Sequence, residues 1–409
     1  MSRVVKALTA AALVSTVAVT AHAEPLSIAI NEALSGVNNG TGHPYKVATN
    51  YVLDKFNNAG GLGGEKIALK VYDNGGNPAN AATKTKQAIA EGARVIIQGS
   101  SSAVAAAIAD TVNEYNAANP GKEVIYFNVG STAMNITGDK CSYYTFRYVQ
   151  TAPTQVAALV QAMKDDGKLG TRVFAVNQNY SWGQDVEAAI KANAAAGGYQ
   201  VIDSILHEVN RIQDFNPIVA KIGAAKPDTV ITGNWSNDLL LLMKAAGEAN
   251  LKVRFGTTFL DQDGNVSNAG SVVEGNYVAH PYNAALTDGT WANDYKQATG
   301  RFPVYVEPPA ARGAELLLKA LKEAQPKGGF DANKVVQAIE NTVLETDLGK
   351  VYVRKEDHQI MTPVVVSRAE KGAKYPVDGT DIGFTPVKMF PAGQFAYPVQ
   401  ASCHMKRPS

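Results

Sequence analysis

Three consecutive serines, Ser100-Ser101-Ser102, follow the apolar run Val95-Ile96-Ile97 and lead into the Ala-rich, helix-like stretch 103–118. A strand that ends in small hydroxyl residues at a helix start presents unbonded backbone N–H groups, hydroxyl donors and the positive end of a helix dipole. Together these suit a carboxylate or another anion. The plain alternative is that one serine simply caps the helix, a position Ser favours. A second hydroxyl-rich turn, Asn128-Val129-Gly130-Ser131-Thr132, follows the strand-like Val124–Phe127. Two of the three tryptophans also stand just after strand-like runs, Trp182 beside Tyr180 in 177–183 and Trp235 in 233–237. Either indole alone would serve equally to pack a helix on a sheet. A further run, 257–263, brings Asp261 and Asp263 to a strand end. Hydroxyl donors on one side and flat apolar surface on the other describe a site for a small solute with an anionic head and an apolar body.

Other chemistries lack their residues. The six histidines, at 22, 43, 207, 280, 358 and 404, show no metal-ligand spacing. There is no G-x-S-x-G elbow and no S-x-x-K signature, so no catalytic set is assigned. Asp261-Gln262-Asp263-Gly264-Asn265 alternates oxygen ligands but lacks the length and terminal Glu of a calcium loop, and reads as a turn. The Gly-rich 58–64 follows a helix and precedes a strand, the reverse of a dinucleotide fingerprint, and lacks the ending of a phosphate loop. Helix capping and a tight turn account for it. No cofactor or metal is implied.

The elements that must position the site alternate along the chain. Strand-like runs at 26–30, 67–72, 94–97 and 124–127 are separated by helical patterns at 47–56, 79–90 and 103–118. Ala48, Tyr51, Val52 and Phe56 fall on one helix face. A second series repeats the rhythm, with strands at 172–176, 201–206, 229–232 and 253–256 and helices at 154–168, 183–196, 216–225 and 237–250. Such alternation predicts βαβ units on parallel sheets, in two similar lobes. The remainder carries helical patterns at 291–299, 311–324 and 331–341 and strands at 350–354 and 362–366, too little for a third lobe. In open α/β sheets ligands gather outside the carboxyl ends of the strands, where the hydroxyl turns and both tryptophans lie.

The N-terminus reads as an export signal: Arg3 and Lys6, an apolar stretch from Ala7 to Thr20, then Ala21-His22-Ala23 with small residues at the cleavage positions. Cleavage after Ala23 leaves 386 of the 409 residues, and without Arg3 and Lys6 the 38 basic residues become 36 against 37 acidic ones. That balance gives no electrostatic case for binding nucleic acid or an anionic membrane. The two cysteines, Cys141 and Cys403, are predicted to pair in an oxidising compartment.

The motifs in order, Leu34-Ser35-Gly36, Asn57-Asn58-Ala59-Gly60-Gly61, Val71-Tyr72-Asp73, Asn77-Pro78, Gln98 to Ser102 and Asn179 to Gly183, resemble the leucine/isoleucine/valine-binding family over about residues 26 to 370. These are periplasmic solute receptors of ATP-binding-cassette importers. The resemblance implies a type I periplasmic binding protein, α/β in class, with two Rossmann-like lobes joined by three crossover strands near 146–152, 277–282 and 344–349. Expected boundaries are a signal peptide at 1–23, lobe 1 at 24–149 plus 281–346, lobe 2 at 150–280 plus 347–390, and a C-terminal tail at 391–409. The family's carboxylate-holding serine falls on Ser102, with Ser101 one register away, and its next cluster on Gly130, Ser131 and Thr132. Its aromatic positions, tyrosine in amino-acid binders, fall on Trp182 and Trp235. The glutamate that holds the ligand ammonium aligns near 257–263, where Asp261 or Asp263 would substitute. The implied function is capture of a small carboxylate, either a branched-chain or other hydrophobic amino acid or an aromatic acid, by a periplasmic monomer that hands it to membrane permease subunits. A ligand-sensing receptor of the same fold, binding an amide or aromatic compound, is the alternative, with a secreted enzyme behind it.

Overall fold

The structure, a computed structural model, describes residues 25–408; the leader expected over 1–23 lies outside the described residues. No helix among the described residues is long and apolar enough to cross a membrane.

The first βαβ series runs β1 (Ser27–Glu32), α1 (Asn39–Asn58), β2 (Ala68–Asp73), α2 (Pro78–Ala90), β3 (Ala93–Gln98), α3 (Ser102–Ala118), β4 (Ile125–Asn128) and β5 (Thr145–Arg147). The second runs α4 (Ala152–Asp165), β6 (Arg172–Gln178), α5 (Ser181–Ala192), α6 (Ala194–Gly197), β7 (Gln200–His207), α7 (Asn216–Ala225), β8 (Thr229–Thr232), α8 (Ser236–Glu248), β9 (Arg254–Thr257), α9 (Asn265–Ala269) and β10 (Tyr277–His280). The chain then supplies α10 (Thr290–Thr299), α11 (Glu307–Ala324) and α12 (Ala332–Asn341), followed by β11 (Leu344–Thr346), β12 (Gly349–Arg354), β13 (Gln359–Met361), β14 (Val364–Lys371) and β15 (Ile382–Phe390). β1, β4 and β8 are buried at every position, as strands covered by helices on both faces require.

Two sheets result. The first has the order β11-β12-β13-β5-β4-β3-β1-β2 and the second β15-β14-β10-β9-β8-β6-β7. In each, one strand lies between the next two of its own series: β1 pairs with β2 and β3, and β6 with β7 and β8. The order reverses there, so the following loops diverge and leave a crevice at the carboxyl ends. Ser101 and Ser102 leave the first sheet at that crevice, and Trp182 and Trp235 leave the second.

The chain passes between the lobes between β5 and α4, after β10, and between β13 and β14. The third passage therefore falls at Thr362-Pro363 and not at 344–349. β11 and β12 fold back as a hairpin, β12 pairs with β13, and Gln359 of β13 pairs in parallel with Arg147 of β5. The segment 344–361 thus extends the first sheet, which corrects the expected lobe boundary at 346/347.

Beyond β15 the chain returns to the first lobe. Phe395 packs against Phe390, and its carbonyl accepts from Thr154 Oγ1 at 2.9 Å on the second lobe. The carbonyl of Tyr397 then accepts from Arg354, Gln400 donates to the carbonyl of Met134, and Arg407 meets Glu340 at 2.6 Å, all on the first lobe. Cys403 is bonded to Cys141, with Cα atoms 5.4 Å apart. The tail is a fourth strand of connection between the lobes, covalently fixed at its far end.

Candidate functional site

A narrow cavity lies between the two sets of carboxyl-end loops. Larger hollows lie near Asp228 and Asn276 and near Leu26 and Ala68, at the amino ends of the strands, where this topology does not gather ligands.

The first lobe supplies the polar wall. Ser101 occupies the position before α3 with φ of +63°, and its side chain caps no helix amide, so the capping role is not realised. A serine in that left-handed region is a strained choice and turns the loop toward the cleft. Ser102 opens α3, so its N–H has no acceptor within the helix, and its Oγ accepts from Ala133 N at 3.3 Å. In the next loop Asn128 Oδ1 accepts from the amides of Gly130 (3.0 Å) and Ser131 (2.8 Å), while Ser131 Oγ donates to the carbonyl of Gly99 at 2.9 Å. Gly130 and Ser131 therefore shape the wall and leave Ser101, Ser102 and Thr132 as its free donors. Tyr45 of α1 lies against both loops. A Cβ at Gly130 would fall 1.9 Å from its Oη, and one at Gly99 would fall 2.1 Å from its Cε1, so both positions require glycine.

The second lobe supplies the aromatic wall. Trp182 Nε1 donates to the carbonyl of Gly233 at 2.7 Å, and Trp235 Nε1 donates to Tyr180 Oη at 2.7 Å. Both indole N–H groups are satisfied by protein, so the rings offer their faces. Phe259 meets Trp182 edge to face at 5.6 Å and Tyr305 at 5.5 Å. Burial pushes the phenols of Tyr45, Tyr180 and Tyr305 above their ordinary range, so all three remain O–H donors.

Ser101, Ser102, Gly130, Ser131, Thr132, Tyr180, Trp182 and Trp235 come together around this cavity. Asp261 does not join them: its Oδ2 accepts from His280 Nδ1 at 2.8 Å and from Tyr305 N at 3.1 Å, which orients Tyr305 from behind. Asp263 pairs with Arg301 at 3.0 Å. No ionised side chain lines the cavity among the described residues, and no cluster there could hold a metal ion. Thr41, Tyr45, Phe259 and Tyr305 line it and were not read from the sequence. Phe259 lay inside the run that was read for its carboxylates, and Tyr45 follows β1, a strand end left without a functional reading.

Glu32, the last residue of β1, sits behind the polar wall. It accepts from the amides of Gly99 and Ser100, the latter at 3.3 Å, and its Oε2 shares a hydrogen bond with Ser100 Oγ. Burial pushes its carboxyl up to about 8, against the opposing effect of these bonds.

The lobes meet across the cleft mouth. Gln262 Nε2 donates to Thr41 Oγ1 at 2.9 Å while its Oε1 accepts from Ser236 N at 2.8 Å; Asn210 Nδ2 donates to Asn38 Oδ1 at 3.3 Å; and Met134 N donates to Asp185 Oδ2 at 2.7 Å. These contacts join the two lobes in a closed arrangement.

Comparison with known proteins places this geometry. The family model described as periplasmic binding protein matches residues 25–374. The Leu/Ile/Val-binding protein homolog 4 of Brucella abortus is 50% identical over 392 residues, covering 95% of this chain and 94% of that protein. A leucine-, isoleucine-, valine-, threonine- and alanine-binding protein from Brucella ovis, solved in a closed conformation, superposes with a TM-score of 0.89 at 50% identity over 94% of this chain and all of that one. An ABC-transporter solute-binding protein from Rhodopseudomonas palustris, in complex with 3,4-dihydroxybenzoic acid, shares the fold at 20% identity, with a TM-score of 0.78 over 90% of this chain and 98% of that one. The chain belongs to the periplasmic binding protein family, in its Leu/Ile/Val-binding branch.

Proposed function

We propose that this protein captures a small hydrophobic carboxylate without an ammonium group, an aromatic or branched aliphatic acid, by closing its lobes around it. The observation that carries this reading is the neutral lining of the cavity, which does not include Asp261, bonded through Oδ2 to His280 and Tyr305. An enclosed ammonium needs an acidic partner or several acceptors, whereas a carboxylate is well served by Ser101, Ser102, Thr132, the phenols and the N-terminus of α3. Trp182, Trp235 and Phe259 cover the apolar body. Export with cleavage after Ala23, action as a monomer and delivery to membrane permease subunits complete the proposal.

A thermal-shift panel tests it, because a ligand at about 100 times its Kd adds about 2.7 kcal/mol of stability. Benzoate, 4-hydroxybenzoate and 4-methylpentanoate are expected to raise the Tm, and leucine and benzamide to act weakly. Leucine or valine outperforming every simple acid would overturn the reading.

A further inference from the structure

Glu32 has no part in the lining just described, yet it holds the serine loop from behind. Its two oxygens engage the amides of Gly99 and Ser100 and the Ser100 hydroxyl, one and two residues from Ser101 and Ser102. The side chain is wholly buried. β1 and β3 are in parallel register, Ile30 beside Ile97, so Glu32 projects past the end of β3 directly under the loop. The titratable groups around it are the phenols of Tyr45 from α1, Tyr126 from β4 and Tyr305 from the segment before α11, and the carboxylate of Asp73, its register partner on β2, whose Oδ1 accepts from the amides of Leu34 and Gly75. The guanidinium of Arg147, which acts on Tyr126, is turned to Gln359, the carbonyl of Ala133 and Thr137. No lysine, arginine or histidine bonds Glu32 among the described residues, so only the amides of Gly99 and Ser100 and the Ser100 hydroxyl, and no cation, oppose a negative charge on it.

An anion held by Ser101, Ser102 and Thr132 would therefore share one short loop, in a water-poor interior, with a second carboxyl group. Two like charges so placed cannot both ionise without large cost. The hydroxyl of Ser100 carries the same consequence in structural terms. An ionised Glu32 draws the Ser100 proton to itself and leaves lone pairs facing the cavity. A neutral Glu32 donates its own proton from Oε2 to Ser100 Oγ, still accepts from Gly99 and Ser100 through Oε1, and frees the Ser100 hydroxyl to donate into the cavity.

We propose that Glu32 is a positioning residue that couples ligand binding to a proton: the site accepts an acid only when Glu32 is neutral, so capture above neutral pH takes up one proton at this side chain. The inference rests on the carboxylate reading of the site. The raised titration of Glu32 in the unliganded chain, about 8, places the effect within reach of ordinary buffers.

Calorimetric titration of the wild-type protein with benzoate and with 4-methylpentanoate tests it. Between about pH 7 and about pH 9.5 the Kd should rise roughly thirtyfold, and buffers of different ionisation enthalpy should report proton uptake near pH 8.5. Glu32→Gln, which keeps the shape of the neutral acid, should flatten the profile and abolish the uptake. Carboxyl-carbon NMR of the wild type gives a second readout that needs no variant: one glutamate should titrate near 8 and move higher once acid is bound. Acids that bind with a flat profile and no proton uptake, or a Glu32→Gln profile identical to wild type, overturn the coupling and leave the carboxylate reading standing. If neither acid binds while leucine or benzamide does, the reading falls and the coupling with it.

Discussion

Replacing Glu32 by Gln also has an expected effect on the unliganded protein. Its carboxyl titrates near 4.5 in an unfolded chain and near 8 in the fold, because burial outweighs the bonds from Gly99 and Ser100. Between these values the folded state holds a proton that the unfolded state has released. The contribution of this side chain to stability is therefore complete below about pH 4.5 and is lost as the pH climbs to about 8. At roughly 1.4 kcal/mol for each unit of difference, the loss at pH 7 is about 3 kcal/mol, an upper figure for one group. Glu32→Gln has no such loss, so its Tm should exceed that of wild type by several degrees at pH 7 to 8, with the gap closing near pH 4.5. Differential scanning calorimetry on the ligand-free proteins, in buffers stepped across that range, measures it directly. A gap that is the same at every pH would show that Glu32 does not carry its proton into the fold, and a destabilised variant at pH 8 would show that the carboxylate is held as an anion.

Thr132→Ala should weaken benzoate roughly ten- to hundredfold, the loss of one donor to a charged partner, with little effect on benzamide in parallel calorimetry; equal losses would mean that this hydroxyl does not read the carboxylate. Trp182→Ala should weaken acid and amide alike by at least about 2 kcal/mol and shift preference among bulky and small solutes in a competition assay. Gln262→Ala removes the side chain that joins Thr41 to Ser236 across the cleft, so small-angle scattering should show a larger radius of gyration in saturating ligand than wild type shows; an unchanged radius would show that closure does not depend on it.

The alternation of strands and helices was legible because fully buried parallel strands are short β-branched runs, as at Thr229–Thr232, where expectation and structure share both ends. α1 was read only from Val47 because Gly40, Gly42 and Pro44 break the helical pattern; Gly42 is needed there because a Cβ would lie 2.0 Å from the carbonyl of Ala33. β15 carries Pro386 and was not expected, yet it is an edge strand with a register shift opposite that proline, where a missing N–H is tolerated. The third crossing was misplaced for another reason: the alternation in Lys350–Arg354 says strand, but only tertiary pairing says which sheet. At the site, the hydroxyl turns and the tryptophans were readable because strand ends can be located in sequence. Tyr305 and the true partners of Asp261 were not, since they depend on segments 44 residues apart meeting in space.

The bond between Cys141 and Cys403 spans 262 positions and closes a covalent ring around the whole second lobe. Its consequence lies in biogenesis. A chain threaded through an export channel from its N-terminus delivers Cys141 long before Cys403, so the first thiol must wait, reduced or held in a mixed disulfide with a catalyst, while the second lobe emerges and folds. The sequence contains no third cysteine, so no wrong intramolecular bond can form in the interval. Once the tail has crossed back from the second lobe to its seat on the first, the two thiols lie together, and the bond then locks the far end of the tail to the first lobe.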